Sequence, residues 1–578
     1  MSPLLPATTT NRRSFSLASR WRRLKKLLLA AVTAVFALVV ATVLAFTLID
    51  NAALPGYEAK LSPSTTTVAS SAVVQQDEVP SVSPLYRQGT DGSHNLLQHC
   101  DEKFITQDLD HFRATRDEDT DSDSNGGGGT FEQRYFVCAR ERFNAKNGSV
   151  FFYFGAEADV ELYVNHTGLM WENAKAFSAL VVFAEHRYFG KSIPFDGDEV
   201  LSHMQYLSST QALADYAMLI EAIKHEQLGV IDNEVPLIGF GGSYGGMLAA
   251  WFRLKYPHLI DGVIAASAPV LAFLGDEKHP VDWEGFKRIV THDMSEAAGS
   301  APNCIKNARR AYDTFVAIGE SASGRKELAR IFRLCDQNML VTDDDVQQVA
   351  YALLEVFGNL AMGNYPYPSS YMTGDASVLP AYPVRAACEF LSPEFGGAQE
   401  GDDDYEGLLS AFRESAAVLF NSSKQEQCLF PKPTNTSADL PNFFDYIACS
   451  ELYMPMGSDG VHDVFPAVDV DLIRDDARCF KQWGVRLRPD WGMTEYGGVR
   501  ALRKASNVVF SNGDFDPWSA TGVLKNLTDS VVFVPIQGGA HHVDLFFSHP
   551  LDPSAITRAR KIEKQHMRKW VDEFYALE

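Results

Sequence analysis

The feature that most constrains this chain is an apolar segment, Val235–Phe240 (VPLIGF), that runs directly into Gly241-Gly242-Ser243-Tyr244-Gly245. A helical pattern follows at once, from Gly246 to Tyr256. G-x-S-x-G alone is weak evidence, since a glycine-rich turn can contain an incidental serine. Between a buried strand and a helix, however, the motif is typical of a tight turn that exposes a reactive serine hydroxyl at the strand end.

Further apolar segments rich in β-branched and aromatic residues alternate with helical patterns. They are Ser149–Gly155 (SVFFYFG), Ala179–Glu185 (ALVVFAE), Asn507–Ser511 (NVVFS) and Ser530–Ile536 (SVVFVPI). Buried strands interleaved with helices predict an α/β fold with a mostly parallel sheet. The region of about 275–480 instead carries amphipathic stretches such as Gln347–Val356 and predicts a largely helical insertion.

A serine hydroxyl needs a base to take its proton and a third group to orient that base. The chain offers two acids after one late strand, Asp514 and Asp516, and two histidines after the next, His541 and His542. The order serine, acid, histidine is the order found with a strand–turn–helix serine. The pattern alone does not separate the two acids or the two histidines.

A tetrahedral intermediate of acyl transfer also needs two N–H donors for its oxyanion. The amide of Tyr244, directly after the serine, is one predicted donor. The other is expected from the loop after the early strand, where Gly155-Ala156-Glu157 follows SVFFYF. We take Gly155 as the candidate residue in this loop.

Charge is unevenly distributed along the 578 residues, whose formal net charge is -23. So acidic a chain is a poor candidate for binding nucleic acid. Residues 1–26 carry seven basic side chains and no acidic one, and the uncharged segment Leu27–Ile49 follows. That segment is long enough to cross a membrane, and the basic residues before it predict a cytoplasmic N-terminus. A signal peptide that is cleaved, releasing a secreted protein, is the alternative.

Cysteines and glycosylation sequons all follow this apolar segment, which predicts a lumenal or extracellular body. The eight cysteines include no C-x-x-C pair, so they indicate disulfides rather than a zinc or redox motif. Asn-x-Ser/Thr sequons lie at Asn147, Asn165, Asn421, Asn435 and Asn526.

Seven segments together carry a resemblance to a known family. They are Gln107–Phe112 (QDLDHF), Thr130–Phe136 (TFEQRYF), Glu185–Ser192 (EHRYFGKS), Tyr206–Ala217 (YLSSTQALADYA), Phe240–Gly246 (FGGSYGG), Ser511–Trp518 (SNGDFDPW) and Gly538–Leu545 (GGAHHVDL). The chain resembles the family of lysosomal Pro-X carboxypeptidase and dipeptidyl peptidase II, which are serine exopeptidases. The resemblance covers about 100–570 and leaves out the basic leader, the apolar segment and the residues directly after it.

The resemblance implies which residues act. It puts the nucleophile at Ser243, the acid at Asp516 and the base at His541, without a metal or organic cofactor. It also favours a Cys449–Cys479 disulfide. One departure concerns the loop after the early strand, where family members typically carry Gly-Asn-Glu-Gly and this chain has Gly155-Ala156-Glu157-Ala158.

The resemblance implies an α/β-hydrolase domain with an inserted, mainly helical cap domain. The apolar segment Leu27–Ile49 predicts an N-terminal transmembrane helix before it. A cytoplasmic tail (1–26), a transmembrane signal anchor (27–49) and a stalk (50–98) are expected first. The hydrolase domain then follows in two segments, 99–274 and 481–578, which flank the cap (275–480). The expected protein is a single-pass type II membrane protein of the lysosome, endosome or cell surface.

The implied activity is cleavage after proline, sometimes alanine, near one end of a peptide. The segment IQGGAHHVDLFFSHPLDP favours the dipeptidyl peptidase II branch, with a Pro-X carboxypeptidase as the alternative. An esterase or lipase on the same fold is a further alternative, since a fold does not determine a substrate. After exopeptidase and esterase or lipase, a non-enzymatic adhesion or receptor ectodomain is the third class of function considered. Peptides that contain proline are the expected partners, and a homodimer is possible.

Overall fold

The computed structural model describes residues 95–113, 129–227, 235–335, 340–396, 405–430 and 442–577, all within one compact unit, Pro80–Glu578. The predicted cytoplasmic tail and signal anchor, and nearly all of the predicted stalk, lie outside these residues. Within the described ranges, no helix has both the length and the apolar character needed to span a membrane.

Eight strands of the described residues form one sheet. They are β1 Cys100–Asp108, β2 Thr130–Cys138, β3 Ser149–Phe154, β4 Ala179–Ala184, β5 Leu237–Gly242, β6 Gly262–Ala266, β7 Val508–Gly513 and β8 Val531–Ile536. Strands β3, β4, β5, β6 and β7 have only buried residues, which explains their continuous apolar sequences. The predicted strands match β3, β4, β5, β7 and β8 to within two residues at their starts and ends.

The strand order across the sheet is β1-β2-β4-β3-β5-β6-β7-β8. Strands β1 and β2 form an antiparallel hairpin, β2 is antiparallel to β4, and all other neighbours are parallel. The carboxyl ends of β3, β5, β7 and β8 therefore meet at one edge of the sheet. This topology, with a serine turn after β5, is the α/β-hydrolase fold that the sequence predicts.

The α-helices outside the insertion form two groups along the chain, one before the insertion and one after it. Before the insertion these are α1 Val160–His166, α2 Gly168–Ala174, α3 Ser209–Ala222 and α4 Tyr244–Lys255. After it come α13 Trp491–Tyr496, α14 Gly498–Leu502 and α15 Ser554–Leu577. Helix α4 follows the serine turn and is buried along most of its length; the ring of its Trp251 stacks on Tyr496 with centroids 3.7 Å apart. The helix that follows the serine is thereby fixed against both segments of the hydrolase domain.

The chain between β6 and β7 is mainly helical in the described residues. Its helices are α5 Gly285–Asp293, α6 Cys304–Gly319, α7 Ala322–Ile331, α8 Asp343–Met362, α9 Pro383–Phe390, α10 Tyr405–Phe420, α11 Phe443–Ser450 and α12 Leu472–Trp483. Helix α8 begins at a capping box in which Thr342 and Asp345 bond reciprocally. Its buried face, with Leu353 and Phe357, joins Phe315 and Phe412 in a hydrophobic core separate from that of the sheet.

One region of the predicted insertion belongs to the core of the sheet domain instead. Phe443, Tyr446 and Ile447 of α11, and Leu452 after it, pack into the hydrophobic cluster that contains β3–β7. Tyr365 and Tyr367, after α8, do the same. The insertion and the sheet domain therefore share side-chain packing, and the predicted limits of the cap, 275 and 480, stay predictions.

All eight cysteines are paired in disulfides. Cys100–Cys138 joins β1 to β2, and the others are Cys304–Cys388, Cys335–Cys428 and Cys449–Cys479. The last of these is the pair that the family resemblance implies. Four disulfides indicate a protein of an oxidising compartment, either a lumen or the outside of the cell.

One buried ion pair connects three of the segments that carry the family resemblance. Arg187, from EHRYFGKS, makes two hydrogen bonds to Asp215 of YLSSTQALADYA, at 2.6 and 2.7 Å. His111 of QDLDHF lies 2.7 Å from the same carboxylate. Arg187 also donates to the carbonyl of Leu109 at 2.8 Å. Three distant segments are thus held together by charge-assisted hydrogen bonds that are largely shielded from solvent.

Replacing Asp215 by alanine should destabilise the protein strongly, because it leaves the buried Arg187 guanidinium without its counter-charge. We expect the free energy of unfolding in urea to fall by about 3–5 kcal/mol. Lys191→Ala is the control, since its ion pair with Glu102 is exposed and should contribute less than about 1 kcal/mol. Equal losses in the two variants would contradict this account of the buried pair.

Candidate active site

Ser243 lies in a backbone conformation that few side chains adopt. Its φ is 56° and its ψ is -127°, between the end of β5 and the start of α4. Non-glycine residues with positive φ are uncommon and tend to occur at functional sites. The amide of Ser243 donates to the carbonyl of Ala266, at the end of β6, at 3.0 Å. Unlike its neighbours in the turn, Ser243 is partly exposed.

The glycines around Ser243 are required by close approach of the backbone. A Cβ atom at Gly241 would lie 2.1 Å from the carbonyl oxygen of Gly245. A Cβ atom at Gly245 would lie 2.7 Å from the carbonyl oxygen of Phe154, the last residue of β3. The G-x-S-x-G pattern is therefore the sequence that this strand–turn–helix geometry can accommodate.

The acid and the base that the family resemblance implies are in contact. His541 Nδ1 lies 2.9 Å from Asp516 Oδ1, and the carboxylate is fully buried. The same carboxylate oxygen accepts a hydrogen bond from the amide of Trp518 at 3.1 Å, which fixes its orientation. Asp514 instead is exposed and accepts a hydrogen bond from the amide of Gly538 at 2.5 Å. Geometry thus distinguishes two acids that the sequence pattern left equivalent.

His542, the second histidine of the pair, is buried in an apolar setting. Its amide donates to the hydroxyl of Ser267 at 2.7 Å, and its ring lies edge-on to those of Tyr371 and Phe546. Burial and the neighbouring charge of His541 hold the pKa of His542 well below its ordinary value. The side chain is therefore a neutral packing element beside the candidate base.

The backbone of His541 is held on both sides by the C-terminal end of α8 and the residues just after it. Its amide donates to the carbonyl of Met362 at 3.1 Å, and its carbonyl accepts a hydrogen bond from the hydroxyl of Tyr365, also at 3.1 Å. Sequence analysis missed this contact, since no local signal links residues 176 positions apart. The inserted helices thus position the loop that carries the histidine.

The loop after β3 is also fixed by a distant side chain. The hydroxyl of Tyr216 on α3 donates to the carbonyl of Gly155 at 2.8 Å. In a trans peptide the next amide N–H points opposite to that carbonyl, so the N–H of Ala156 faces away from Tyr216. The Cβ of Ala156 lies 3.5 Å from where a Cβ of Gly245 would be, which places this loop against the first turn of α4. Gly155 as an oxyanion donor stays a prediction.

Tyr244 is fully buried beside the serine turn. Its hydroxyl lies 3.1 Å from Nε2 of His186, whose Nδ1 is 2.7 Å from the carbonyl of Arg187. Burial lowers the pKa of His186 to about 4. A neutral imidazole therefore holds the side chain of Tyr244, whose backbone amide is the predicted oxyanion donor.

The remaining predicted site residues lie away from this edge of the sheet. Asn147 and Asn526 are exposed, Asn165 and Asn421 are partly buried, and Asn435 lies outside the described residues. The Oδ1 atom of Asn165 accepts a hydrogen bond from the amide of Leu96 at 3.0 Å. As for metals, the described ranges contain no group of three or more His, Cys, Asp or Glu side chains placed to hold an ion.

The fold and this site define a class. A serine on a strained turn after β5 shares one sheet edge with a buried Asp516–His541 pair. These are the components of a serine hydrolase of the α/β-hydrolase fold.

Comparison with known proteins identifies the family within that class. The family model described as "Serine carboxypeptidase S28" matches residues 107–563. The chain belongs to this family of serine peptidases, which confirms the resemblance predicted from the sequence.

Named relatives cover most of the chain. The chain is 38% identical over 475 residues to "Lysosomal Pro-X carboxypeptidase" of Bos taurus, covering 82% of this chain and 88% of the relative. Identity to the Homo sapiens protein of that name is 40% over 450 residues, covering 77% and 85%. "Prolyl carboxy peptidase like protein 5" of Caenorhabditis elegans is 33% identical over 488 residues, covering 82% and 90%.

Exchanging Asp516 for asparagine should nearly abolish turnover, because an amide cannot stabilise the charged imidazole of His541 in the required tautomer. We expect kcat to fall by roughly 10⁴-fold with the fold intact. Asp514→Asn is the matched control, since it lies two residues away and contacts a turn instead. Steady-state kinetics of both variants test this, and similar activities in the two would contradict the assignment.

Tyr216→Phe should lower kcat without a matching change in KM, because it releases the carbonyl that orients the loop after β3. We expect a loss of about tenfold, less than the 10²–10³-fold cost of removing an oxyanion donor itself. Tyr575→Phe is the control: that hydroxyl donates at 2.8 Å to the carbonyl of Gly148, just before the opposite end of β3. A Tyr216→Phe variant with the kcat of wild type would show that the loop needs no such support.

Proposed function

We propose that the protein is a serine carboxypeptidase that removes the C-terminal residue of peptides whose penultimate residue is proline. The observation that carries the proposal is the buried Asp516–His541 pair at the same sheet edge as Ser243. The family of the chain supplies the reaction class, which is peptide hydrolysis by a serine nucleophile.

In the proposed mechanism Ser243 attacks the carbonyl carbon of proline and gives its proton to His541. Asp516 holds the imidazole and stabilises its charged form. The amide of Tyr244 and an amide of the loop after β3 stabilise the oxyanion. His541 then protonates the leaving amine, and the amino acid departs. Water, activated by the same histidine, releases the peptide from Ser243.

The preference for a carboxypeptidase comes from the named relatives. Sequence analysis favours the dipeptidyl peptidase II branch on one C-terminal segment. The curated relatives reported above, at 33–40% identity over most of the chain, carry carboxypeptidase names. We therefore adopt the alternative of the sequence analysis as the main proposal.

Two buried carboxyl groups in the chain between β6 and β7 support work at acidic pH. Burial raises the pKa of Asp293 to about 7, and burial does the same for Glu451. A carboxyl group whose pKa is raised by folding binds its proton more tightly in the folded state. The stability it contributes is complete below the ordinary pKa near 4 and is lost as the pH rises through 7. We infer an acidic lumen as the working environment.

The membrane anchor enters the proposal only as a sequence-based expectation. Four disulfides support a lumenal or extracellular location. Residues 27–49 as a type II signal anchor, and the possible homodimer, stay predictions.

Peptides that differ only at their ends test the proposed specificity. We expect a blocked peptide with a free C-terminal Pro-Phe to lose phenylalanine, because attack at proline needs no free N-terminus. A free-amine Ala-Pro-reporter peptide should be cleaved at least tenfold more slowly in kcat/KM. Mass spectrometry of the products measures both.

Ser243→Ala is the negative control for this assay and should give no product from either peptide. Faster release of the Ala-Pro dipeptide than of C-terminal phenylalanine would contradict the carboxypeptidase proposal and support the dipeptidyl peptidase.

A further inference from the structure

Asp293 and Asn364 are two fully buried polar side chains that the mechanism above does not use. Asp293 is the last residue of α5, and Asn364 lies two residues after the end of α8. Nδ2 of Asn364 donates a hydrogen bond to Oδ2 of Asp293 at 3.2 Å. The other oxygen atoms of the two groups, Oδ1 of Asp293 and Oδ1 of Asn364, are buried and have no hydrogen-bond partner within the described ranges. Buried polar atoms without a partner are rare and require an explanation.

One proton on Asp293 would satisfy both of these oxygen atoms. A carboxylic acid offers one O–H donor beside one carbonyl acceptor, and the amide of asparagine offers N–H donors beside one carbonyl acceptor. Two such groups in contact can form a cyclic pair with two parallel hydrogen bonds. The bond from Asn364 to Asp293 is the first of the two, and the second would run from the acid O–H of Asp293 to Oδ1 of Asn364. Ionised Asp293 has no donor with which to make it.

Burial and the neighbouring charges favour the protonated form of Asp293. Burial raises the pKa of Asp293 to about 7, and the charge of Asp514, after β7, acts in the same direction. His292 and Asn364 oppose the shift. Nδ1 of His292 lies 3.5 Å from Oδ1 of Asp293, which is longer than a normal hydrogen bond, and the His292 side chain is 47% exposed. His292 is therefore a weak counter-charge, since solvent screens it.

Other elements that pack against α5 supply little further charge at Asp293. Segment Pro517–Thr521 contains no titratable side chain. On α8, Glu355 is paired with Lys287, near the start of α5. In the turn after α5, Glu296 is exposed. The hydrogen bonds and the burial of Asp293 thus agree on a neutral acid.

Asn364 lies between the two residues that hold the backbone of His541. The carbonyl of Met362 accepts a hydrogen bond from the amide of His541 at 3.1 Å, and the hydroxyl of Tyr365 donates to its carbonyl at 3.1 Å. All three residues belong to one short segment, 362–365. Anchoring the side chain of Asn364 to the end of α5 therefore restricts the movement of both contacts to His541.

We propose that Asp293, as a neutral acid, forms a cyclic hydrogen-bonded pair with the amide of Asn364 and thereby positions His541 for catalysis at acidic pH. Asp293 is a positioning residue, because it acts on His541 through segment 362–365. As the pH rises through about 7, Asp293 ionises, the second hydrogen bond is lost, and segment 362–365 holds His541 less firmly. The inference rests on the proposed function for the roles of Ser243 and His541, and it adds a pH dependence to that site.

The pH dependence of kcat for a blocked proline nitrophenyl ester tests this inference. Hydrolysis of the ester uses Ser243 and His541 but no free peptide terminus, so the test is independent of the proposed carboxypeptidase specificity. Ser243→Ala gives the background rate at each pH. For wild type we expect kcat to rise as His541 loses its proton and then to fall by at least about fivefold between pH 6 and pH 8.5 as His541 is misplaced. KM should change by less than about twofold, since Asp293 acts on the catalytic base.

Two variants of Asp293 separate positioning from folding. Asp293→Asn offers an N–H donor and a carbonyl acceptor at every pH, so kcat should stay within about twofold of wild type at pH 5.5 and should not fall toward pH 8.5. Asp293→Ala removes both hydrogen bonds, so kcat should fall by about tenfold already at pH 5.5. Thermal unfolding at both pH values reports the integrity of each variant. If Asp293→Ala does not fold, the profile of Asp293→Asn decides the test.

Glu451→Gln is the matched control. Burial raises the pKa of Glu451 to about 7 as well, but its carboxyl group accepts a hydrogen bond from the amide of Ser209, at the start of α3. Glutamine can accept the same hydrogen bond. The variant should therefore keep the wild-type fall of kcat toward pH 8.5.

The outcomes distinguish the inference from the proposed function. A fall of kcat that Asp293→Asn abolishes and Glu451→Gln keeps supports the role of Asp293. A wild type without the fall, an Asp293→Asn variant that keeps it, or a Glu451→Gln variant that also loses it overturns that role alone. Hydrolysis of the ester without cleavage of peptides defeats the carboxypeptidase proposal, while the role of Asp293 is still decided by the same profiles. If wild type does not hydrolyse the ester at any pH, both fail.

Discussion

The position of His541 is the constraint on which the whole site depends. Its ring is oriented by Asp516, while its backbone amide and carbonyl are bound by Met362 and Tyr365. The first contact comes from the sheet domain, and the other two come from the last residue of α8 and from the chain just after it. Misplacing catalytic groups by about 1 Å can cost a hundredfold in rate. The inserted helices therefore help to position His541 and are not merely a cover over the site.

The chemistry of the site is set by burial as much as by residue type. Tyr244 and His186 are buried together beside the serine turn, and His542 is buried beside His541. Burial keeps His186 and His542 neutral.

Much of the fold could be predicted because its signals are local. Continuous apolar segments mark strands buried on both faces, and the glycines around Ser243 reflect contacts within a few residues and with the adjacent strand. The choice between Asp514 and Asp516 could not be made from pattern, since both follow β7 within three residues. Only the hydrogen bonds distinguish them: one acid binds His541, and the other binds the turn at Gly538.

What sequence analysis missed depends on contacts between distant regions of the chain. The hydrogen bond from Tyr216 to Gly155 joins residues 61 positions apart, and a tyrosine in a helix shows no sign of such a role. Likewise, α11 lies inside the predicted insertion, yet Phe443 and Ile447 pack into the core of the sheet domain. An amphipathic pattern shows that a helix has a buried face but not which core it joins.

The central claim is that Ser243 is the nucleophile activated at this sheet edge. Its most direct measurement is reaction of the full chain with a fluorophosphonate, followed by peptide mapping with mass spectrometry. The account predicts one phosphonyl group per chain, on the peptide that contains Ser243. An adduct on a different serine, or an intact folded protein that takes up no label, would contradict it.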